Sequence, residues 1–452
     1  METTPTFFER FSHWVKQSLS LKLFTIGFLT LILLIPTVLI QNLITERELT
    51  RNTAVEEVSS KWGSPQIVAG PVLTIPFKTI ITDDKGKTTT RIENAHFLPE
   101  SLNIMGNILP EKRYRGIYIV MLYNTRLQLS GRFAAPDFEK LKIKPDQILW
   151  NEAFLSLGII DLKGIRQAIF LTFRDQKTEF EPGQATNDLF QSGIGVPVKI
   201  SAVDRSPSTF SLNLNLNGST ALQFVPLGKE THVQLKSPWS TPSFIGSFLP
   251  EKRSITKDGF SVQWNVLQHN RNYPQQGINT FIPVKALESI ESENASGAFG
   301  LKLLLPIDEY QKTTRSAKYS ILFIVLSFMT FFIMEVLGKR RIHPIQYLLV
   351  GFAISLFYVL LLSLSEQLPF HIAYLISTAV ILTMVSLYAR YVVKNLRYTL
   401  VFSGILALLY AFFYSLLQLE DYALLLGSIG LCLVLGLVMY LTRHLDWYNT
   451  KE

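Results

Sequence analysis

Apolar positions in this chain are distributed in two ways, and each pattern predicts a different kind of element. In the first, residues are apolar almost without interruption over 23–40 and again over 320–337, 345–365, 370–389, 400–419 and 423–441. At about 1.5 Å of rise per residue, runs of roughly eighteen to twenty span the hydrocarbon of a bilayer as helices. In the second, apolar and polar residues alternate. Leu127 and Leu129 are interleaved with Arg126, Gln128 and Ser130, and Phe210, Leu212, Leu214 and Leu216 with Ser211, Asn213, Asn215 and Asn217. A period of two marks strands with one buried face. The predicted fold class is therefore an α+β membrane protein. It has one N-terminal and five C-terminal transmembrane helices around a large inserted antiparallel β-sandwich.

The charges between the runs predict their direction. Lys339, Arg340 and Arg341 follow the second run and Glu366 the third; Arg390, Lys394 and Arg397 follow the fourth, Glu420 and Asp421 the fifth, and Arg443 and Lys451 the last. Lys and Arg in short loops stay on the cytoplasmic side. Both termini are thus expected in the cytoplasm, with residues from about 42 to 317 outside. The first run passes through Pro36 into Gln41 and Asn42 with no small-residue cleavage site, which favours an anchor over a signal peptide. Ahead of it Phe7, Phe8, Phe11, Trp14 and Val15 suit a short interfacial helix.

These expectations divide the chain into a cytoplasmic interfacial segment (1–21), a first span with an outer stalk (22–62), two β-modules (63–150 and 151–317), a five-helix bundle (318–442) and a tail (443–452). The stalk follows from helix-favouring sequence between Glu46 and Lys61, ending near Gly63-Ser64-Pro65, and Asp83-Asp84-Lys85-Gly86 marks a turn. Two related modules are suggested by Leu-Pro-Glu-Lys-Arg, which occurs at 109–113 and again at 249–253. Each copy leads toward an aromatic-Asn pair, Tyr123-Asn124 and Trp264-Asn265. A charged turn used twice is the simpler alternative.

Composition changes the picture in two places. The net charge of +8 does not indicate nucleic acid, because the cations form no stripe interleaved with aromatics and several cluster at the ends of apolar runs. Cys432 is the only cysteine and lies in an apolar run, so the β-region holds no disulfide and depends on core packing.

Signatures of catalysis and of metal or nucleotide binding are missing: there is no His-Glu-x-x-His, Cys-x-x-Cys, phosphate-binding glycine loop or Gly-x-Ser-x-Gly. No cofactor is expected. His96 and His232 have no carboxylate at ligand spacing and read as surface or turn residues. The membrane part offers more. Glu335 lies inside an apolar run, where a carboxylate is costly unless paired. Arg340, Arg341 or His343 could pair with it, and Glu335, Arg341, His343 and Tyr347 form a candidate polar cluster on the cytoplasmic side. The simpler reading is a glutamate at the interface, satisfied by the basic loop. Glu366 and His371 form a candidate outer pair. Small residues at Ser403, Ala407 and Ala411 and at Ser428, Cys432 and Gly436 recur every fourth position and predict close helix packing.

Several segments together resemble the Cet/CreD family, inner-membrane proteins associated with colicin tolerance and cell-envelope integrity. They are Trp62-Gly63 followed by Gly70-Pro71-Val72-Leu73-Thr74-Ile75-Pro76, then Arg115-Gly116-Ile117-Tyr118. Further on come Tyr310-Gln311-Lys312-Thr313-Thr314-Arg315-Ser316 and, most specific, Arg341-Ile342-His343-Pro344-Ile345-Gln346-Tyr347. The resemblance covers nearly the whole chain. It implies a role in maintaining the envelope under stress and carries over no catalytic residue or ligand. The first expectation is a non-enzymatic inner-membrane protein whose β-domain meets a periplasmic or lipidic partner. A transporter or lipid-handling protein, and a membrane-bound enzyme, are the alternatives. The lipid bilayer is the one partner fixed by composition, nucleic acid is not expected, and the oligomeric state is open.

Overall fold

The computed structural model describes residues 19–82, 88–183, 185–202, 206–282, 297–304, 309–337, 342–419 and 423–443. Several expectations fall outside them: the interfacial segment before residue 19, the turn at 83–86, the basic loop with Lys339, Arg340 and Arg341, the acidic pair Glu420-Asp421, and the tail beyond 443. The chain forms two compact units, one of residues 1–50 and 307–452 and the other Arg51–Pro306.

α1 (Leu19–Ile32) lies in the first unit, and α2 (Leu34–Trp62) follows it after one residue, its residues from Arg51 onward belonging to the second unit. Pro36 has no amide hydrogen to offer Ile32, which interrupts the ladder at Leu33. The flanking bonds hold, Leu33 N donating to Leu29 O (3.0 Å) and Thr37 N to Leu33 O (3.3 Å). The later helices are α3 (Glu309–Lys318), α4 (Ser320–Leu337), α5 (Pro344–Ser365), α6 (Phe370–Val393), α7 (Leu396–Gln418) and α8 (Ala423–Thr442). Four helices are individually long and apolar enough to cross a membrane: Leu23–Trp62, Pro344–Ser365, Phe370–Val393 and Leu396–Gln418. The α3–α4 pair, bent by 47°, makes a fifth if it is one span. At that bend the Ala317 carbonyl leaves the ladder and accepts from Ser320 Oγ (2.6 Å) and Gln41 Nε2 (3.4 Å). A kink with its freed carbonyl satisfied is stable in an apolar setting. Aromatic rings fill the middle of the unit: Phe323 and Phe357 meet Tyr410 at ring-centre distances of 4.4 and 4.9 Å.

The expected small-residue seam is only half realised. Ser403 does bridge helices, donating from α7 to Ser386 Oγ on α6 at 2.7 Å, and Ala407 is half-buried. Ala411, Ser428, Cys432 and Gly436 are exposed, and a Cβ on Gly436 would meet nothing within 4 Å. α8 instead approaches α7 through Gly430, where a Cβ would collide with the Phe412 ring. At 100° per residue, Gly430 lies on the side of the helix opposite Cys432 and Gly436. The repeat of small residues was correctly spaced for a seam, but ring packing against Phe412 selected a different face.

The second unit is a two-layer sandwich. Its strands begin with β1 (Gln66–Thr82), β2 (Thr88–Phe97), β3 (Ser101–Arg115) and β4 (Tyr118–Phe133). Then come β5 (Phe154–Ile159), β6 (Phe170–Phe173), β7 (Gln176–Glu179), β8 (Glu181–Pro182), β9 (Gly193–Pro197) and β10 (Ser208–Ser219). The series closes with β11 (Ala221–Val225), β12 (Glu230–Ser237), β13 (Pro242–Gly246), β14 (Lys252–Thr256), β15 (Gly259–Leu267), β16 (Gln276–Ile278) and β17 (Phe299–Leu303). Among the described residues one sheet runs β13-β17-β11-β1-β5-β9-β8, with β2 and β16 branching from β1, and the other β14-β15-β12-β3-β4-β10-β6-β7. The sandwich is mixed rather than wholly antiparallel, since β1 runs parallel to β11 and β3 to β12. In both sheets strands from before residue 150 lie between strands from after it, and all share one core, so the expected boundary between modules falls inside a single unit. The repeated Leu-Pro-Glu-Lys-Arg feeds a hairpin each time, β3 into β4 and β14 into β15.

The sequence alternation appears directly as burial. Leu127, Leu129, Leu212, Leu214 and Leu216 point into the core, while Arg126, Gln128 and Asn213 point out. Near the centre Trp264 is fully buried against Phe299 (5.6 Å) and Phe244 (5.8 Å), with its Nε1 donating to Phe248 O at 3.1 Å. Trp264→Ala empties this site and orphans the Phe248 carbonyl. A loss of about 3–5 kcal/mol is expected, checked by urea titration and protease resistance of the full chain.

Candidate functional site

Three polar constellations stand out from the apolar packing. The first is at Glu335, 5% exposed in the last turn of α4. Its Oε1 accepts from the Ile342 backbone N–H (2.9 Å) and its Oε2 from the Tyr347 hydroxyl (2.8 Å). The Tyr347 ring is held edge-on between Phe328 (5.6 Å) and Phe331 (5.1 Å). The carboxylate thus lies against the N-terminus of α5, where the helix dipole favours negative charge. Of the expected cluster, Glu335 and Tyr347 meet. Arg341 lies outside the described residues, and His343 has a different role. It is exposed and caps α5, its Nδ1 accepting from Ile345 N at 3.3 Å while its own N–H donates to Gln346 Oε1 at 3.0 Å. A capping box satisfies two otherwise orphaned donors. Glu366 also finds a partner other than the one expected: Arg47 Nε from α2 approaches its Oε1 at 4.0 Å, and His371 is exposed on the first turn of α6.

The second constellation was not visible in the sequence. His96, read as a surface or turn histidine, is fully buried on β2. Its Nε2 lies 3.3 Å from Asp188 Oδ2, which also accepts from Asn94 Nδ2 at 2.7 Å. A carboxylate only accepts, so Nε2 carries the proton, Nδ1 is the acceptor, and the Thr74 hydroxyl donates to it at 2.9 Å. Phe281 stacks on the imidazole at 6.1 Å. Burial pushes the His96 imidazole down to about 4 against the pull of Asp188. Burial alone would raise Asp188, but Thr186, Asn94 and His96 together hold it below the ordinary carboxylate range. The order hydroxyl, imidazole, carboxylate is that of a nucleophile relay. Here Thr74 is fully buried, so its hydroxyl is shielded from solvent, and the relay pins the loop carrying Asp188 to the sheet.

The third is the outer face of the sheet built on β12, β3, β4 and β10. Strand register aligns its side chains in transverse rows. One row reads Gln263, Gln234, Met105, Gln128, Asn213, and the next Ser261, Lys236, Asn107, Arg126, Asn215. Neither contains an acid. Over them lies a concavity of about 700 Å³ bordered also by Gln167, whose Oε1 accepts from Asn215 Nδ2 at 2.6 Å.

Residues 18–448 match the model of the family described as "Inner membrane protein CreD". The chain belongs to the CreD family. The inner membrane protein CreD of Escherichia coli strain K12 is 34% identical over 445 residues, covering 96% of this chain and 95% of that one. The membrane helices of this CreD-family chain are accordingly those of a multi-pass inner-membrane protein. Among solved structures, an M1 zinc metallopeptidase variant from Deinococcus radiodurans aligns with 46% of this chain and 42% of its own, at 9% identity and a TM-score of 0.20. That likeness is too slight to bear on the fold. Among the described residues no three His, Cys, Asp or Glu side chains are grouped to hold a metal ion.

Two outcomes follow from these contacts. Glu335→Leu removes the acceptor and Tyr347→Phe the donor of the same hydrogen-bonded pair, so each should cost about 1–3 kcal/mol. The double variant should cost little more than one of them, as melting in detergent will report; strictly additive losses would show that the pair is not coupled. For His96, the unfolded imidazole takes up a proton below about 6.5 while the folded one stays neutral to about 4. Acid therefore favours the unfolded chain across that window. Stability should be fullest above pH 6.5 and fall by up to about 1.4 kcal/mol per pH unit below it. Urea titrations at pH 7, 6 and 5 should show that slope flattened in His96→Gln.

Proposed function

We propose that this CreD-family chain is a six-span envelope-integrity protein whose β-unit stands outside the inner membrane and engages an envelope partner without catalysing a reaction. α8 is the sixth span, both termini lie in the cytoplasm, and residues from about 42 to 317 are periplasmic. The alternation of basic and acidic junctions supports this orientation.

The observation that carries the partner-binding reading is the open concavity on the outer face of the β12-β3-β4-β10 sheet, whose lining contains no acid. The sheet's inward side chains close a core, while its outward ones form ordered rows over this concavity of about 700 Å³. The face is polar, not the apolar groove that a docking protein surface would present. The sealed Thr74 hydroxyl supports a supporting rather than a reacting role for the one relay found among the described residues.

An alkaline phosphatase reporter inserted at Asn215 should be active and one at Arg397 inactive. The reverse pattern would invert the orientation and remove the periplasmic assignment.

A further inference from the structure

The chemistry of the sheet face identifies the class of partner. Each outward amide of Gln234, Gln128 and Asn213 both donates and accepts, which suits hydroxyl and acetamido groups better than it suits ions. The three lie in one row, Gln128 and Asn213 on adjacent strands and Gln234 on the far side of Met105. Adjacent strands are about 4.8 Å apart, close to the length of one sugar ring in a glycan chain. A glycan lying across the four strands thus meets an amide on β12, β4 and β10 and the Met105 side chain on β3.

Two cations, Lys236 and Arg126, lie in the next row on either side of Asn107. With no acid in either row, the face complements a chain bearing regularly placed negative charge. Apolar contacts for the C–H faces of sugar rings are present too. Met105 is 52% exposed at the centre of the first row. Phe170 is 41% exposed and borders an adjoining hollow of about 300 Å³ that shares Gln128, Gln167, Asn213 and Asn215 with the main one. Lys177 Nζ covers the Phe170 ring at 4.7 Å.

We propose that this face binds a glycan strand carrying acetamido groups and carboxylates, laid across β12, β3, β4 and β10. Amides read the acetamido and hydroxyl groups, and Arg126 and Lys236 pair with the carboxylates. The inference rests on the reading of the β-unit as a partner-binding domain outside the membrane, and it names that partner.

The test uses the full chain in detergent micelles, sedimented with isolated peptidoglycan sacculi, with soluble N-acetylglucosamine hexamer and dextran as competitors. The protein should sediment with sacculi, and the hexamer but not dextran should displace it. Gln128→Ala/Asn213→Ala should weaken binding at least tenfold with an unchanged melting curve. Asn213→Asp, nearly equal in shape, should also weaken it by placing a negative charge against the glycan. Arg126→Gln/Lys236→Gln should lose affinity for sacculi while retaining that for the uncharged hexamer. Thr178→Ala, away from the face, should bind as the native chain does. Failure of the native chain to sediment, equal displacement by dextran, or native-like binding by the folded amide variants would overturn the proposal. The reporter at Asn215 separates the two levels: an active reporter with no sacculus binding removes only the glycan assignment, while an inactive one removes the periplasmic reading beneath it.

Discussion

A backbone amide or carbonyl removed from water must find a partner, and that requirement governs both units. In hydrocarbon the helix is the economical answer for a single apolar segment. Where the ladder fails, side chains take over. The Ala317 carbonyl, freed at the α3–α4 bend, accepts from Ser320 and Gln41. Near Pro36 the Thr37 hydroxyl adds a bond to the Leu33 carbonyl at 2.9 Å. Glu335 is the charged form of the same problem. Its two oxygens accept from donors at the start of the next helix, so the carboxylate itself becomes part of how α5 begins.

In the β-unit the same accounting is met by two sheets, and its exceptions mark the places that fix the fold. Gln66 is fully buried yet donates to the carbonyls of Asp161 (3.0 Å) and Asn217 (3.1 Å) and accepts from Asp161 N (3.3 Å). Beside it Gly63, with φ of +151°, passes so close to the Asn217 carbonyl that a Cβ would lie 2.7 Å from the oxygen. Trp62, just before it, donates to the Tyr123 carbonyl at 3.3 Å, and the guanidinium groups of Arg113 and Arg166 stand 5.5 and 5.7 Å from its ring centre. The Trp62-Gly63 pair therefore ends a helix and docks it in one step. With no cysteine in the unit, such joints and the shared core replace disulfides.

What could be read from the chain, and what could not, follows from sequence distance. Apolar runs and two-residue alternation are local signals, so the helices and the strand faces around Leu129 and Leu214 were legible. Glu335 and Tyr347 were legible as neighbours because only twelve positions and one helix start separate them. His96 and Asp188 are 92 residues apart and join only when a loop folds over the sheet, so no spacing announced them. The same holds for Arg47 and Glu366, brought together by helix packing. The parallel pairing of β1 with β11 and of β3 with β12 was hidden for another reason. Alternation fixes which face a residue occupies but says nothing about which strand lies beside it. The amides of Asn213 and Asn215 were visible as half of a pattern. Their alignment with Gln128, Gln234 and Lys236 existed only in the register.

That alignment also explains why a face of this kind favours amides over charges. Attraction between exposed ions falls steeply beyond a Debye length, about 10 Å at 0.1 M salt and about 3 Å at 1 M. A surface outside the inner membrane meets whatever ionic strength the surroundings impose. Hydrogen bonds from Gln128, Gln234 and Asn213 depend on contact geometry and lose little to screening, whereas a row of lysines would lose much of its pull. The sheet fixes where each amide stands, because each lies on a strand whose opposite face is locked into the core by residues such as Leu127, Leu214 and Leu235, and only side-chain rotamers remain to be ordered on binding. Cations set among the amides then select the sign of the partner and add a salt-dependent share to its retention, while the amide contacts persist when that share is screened.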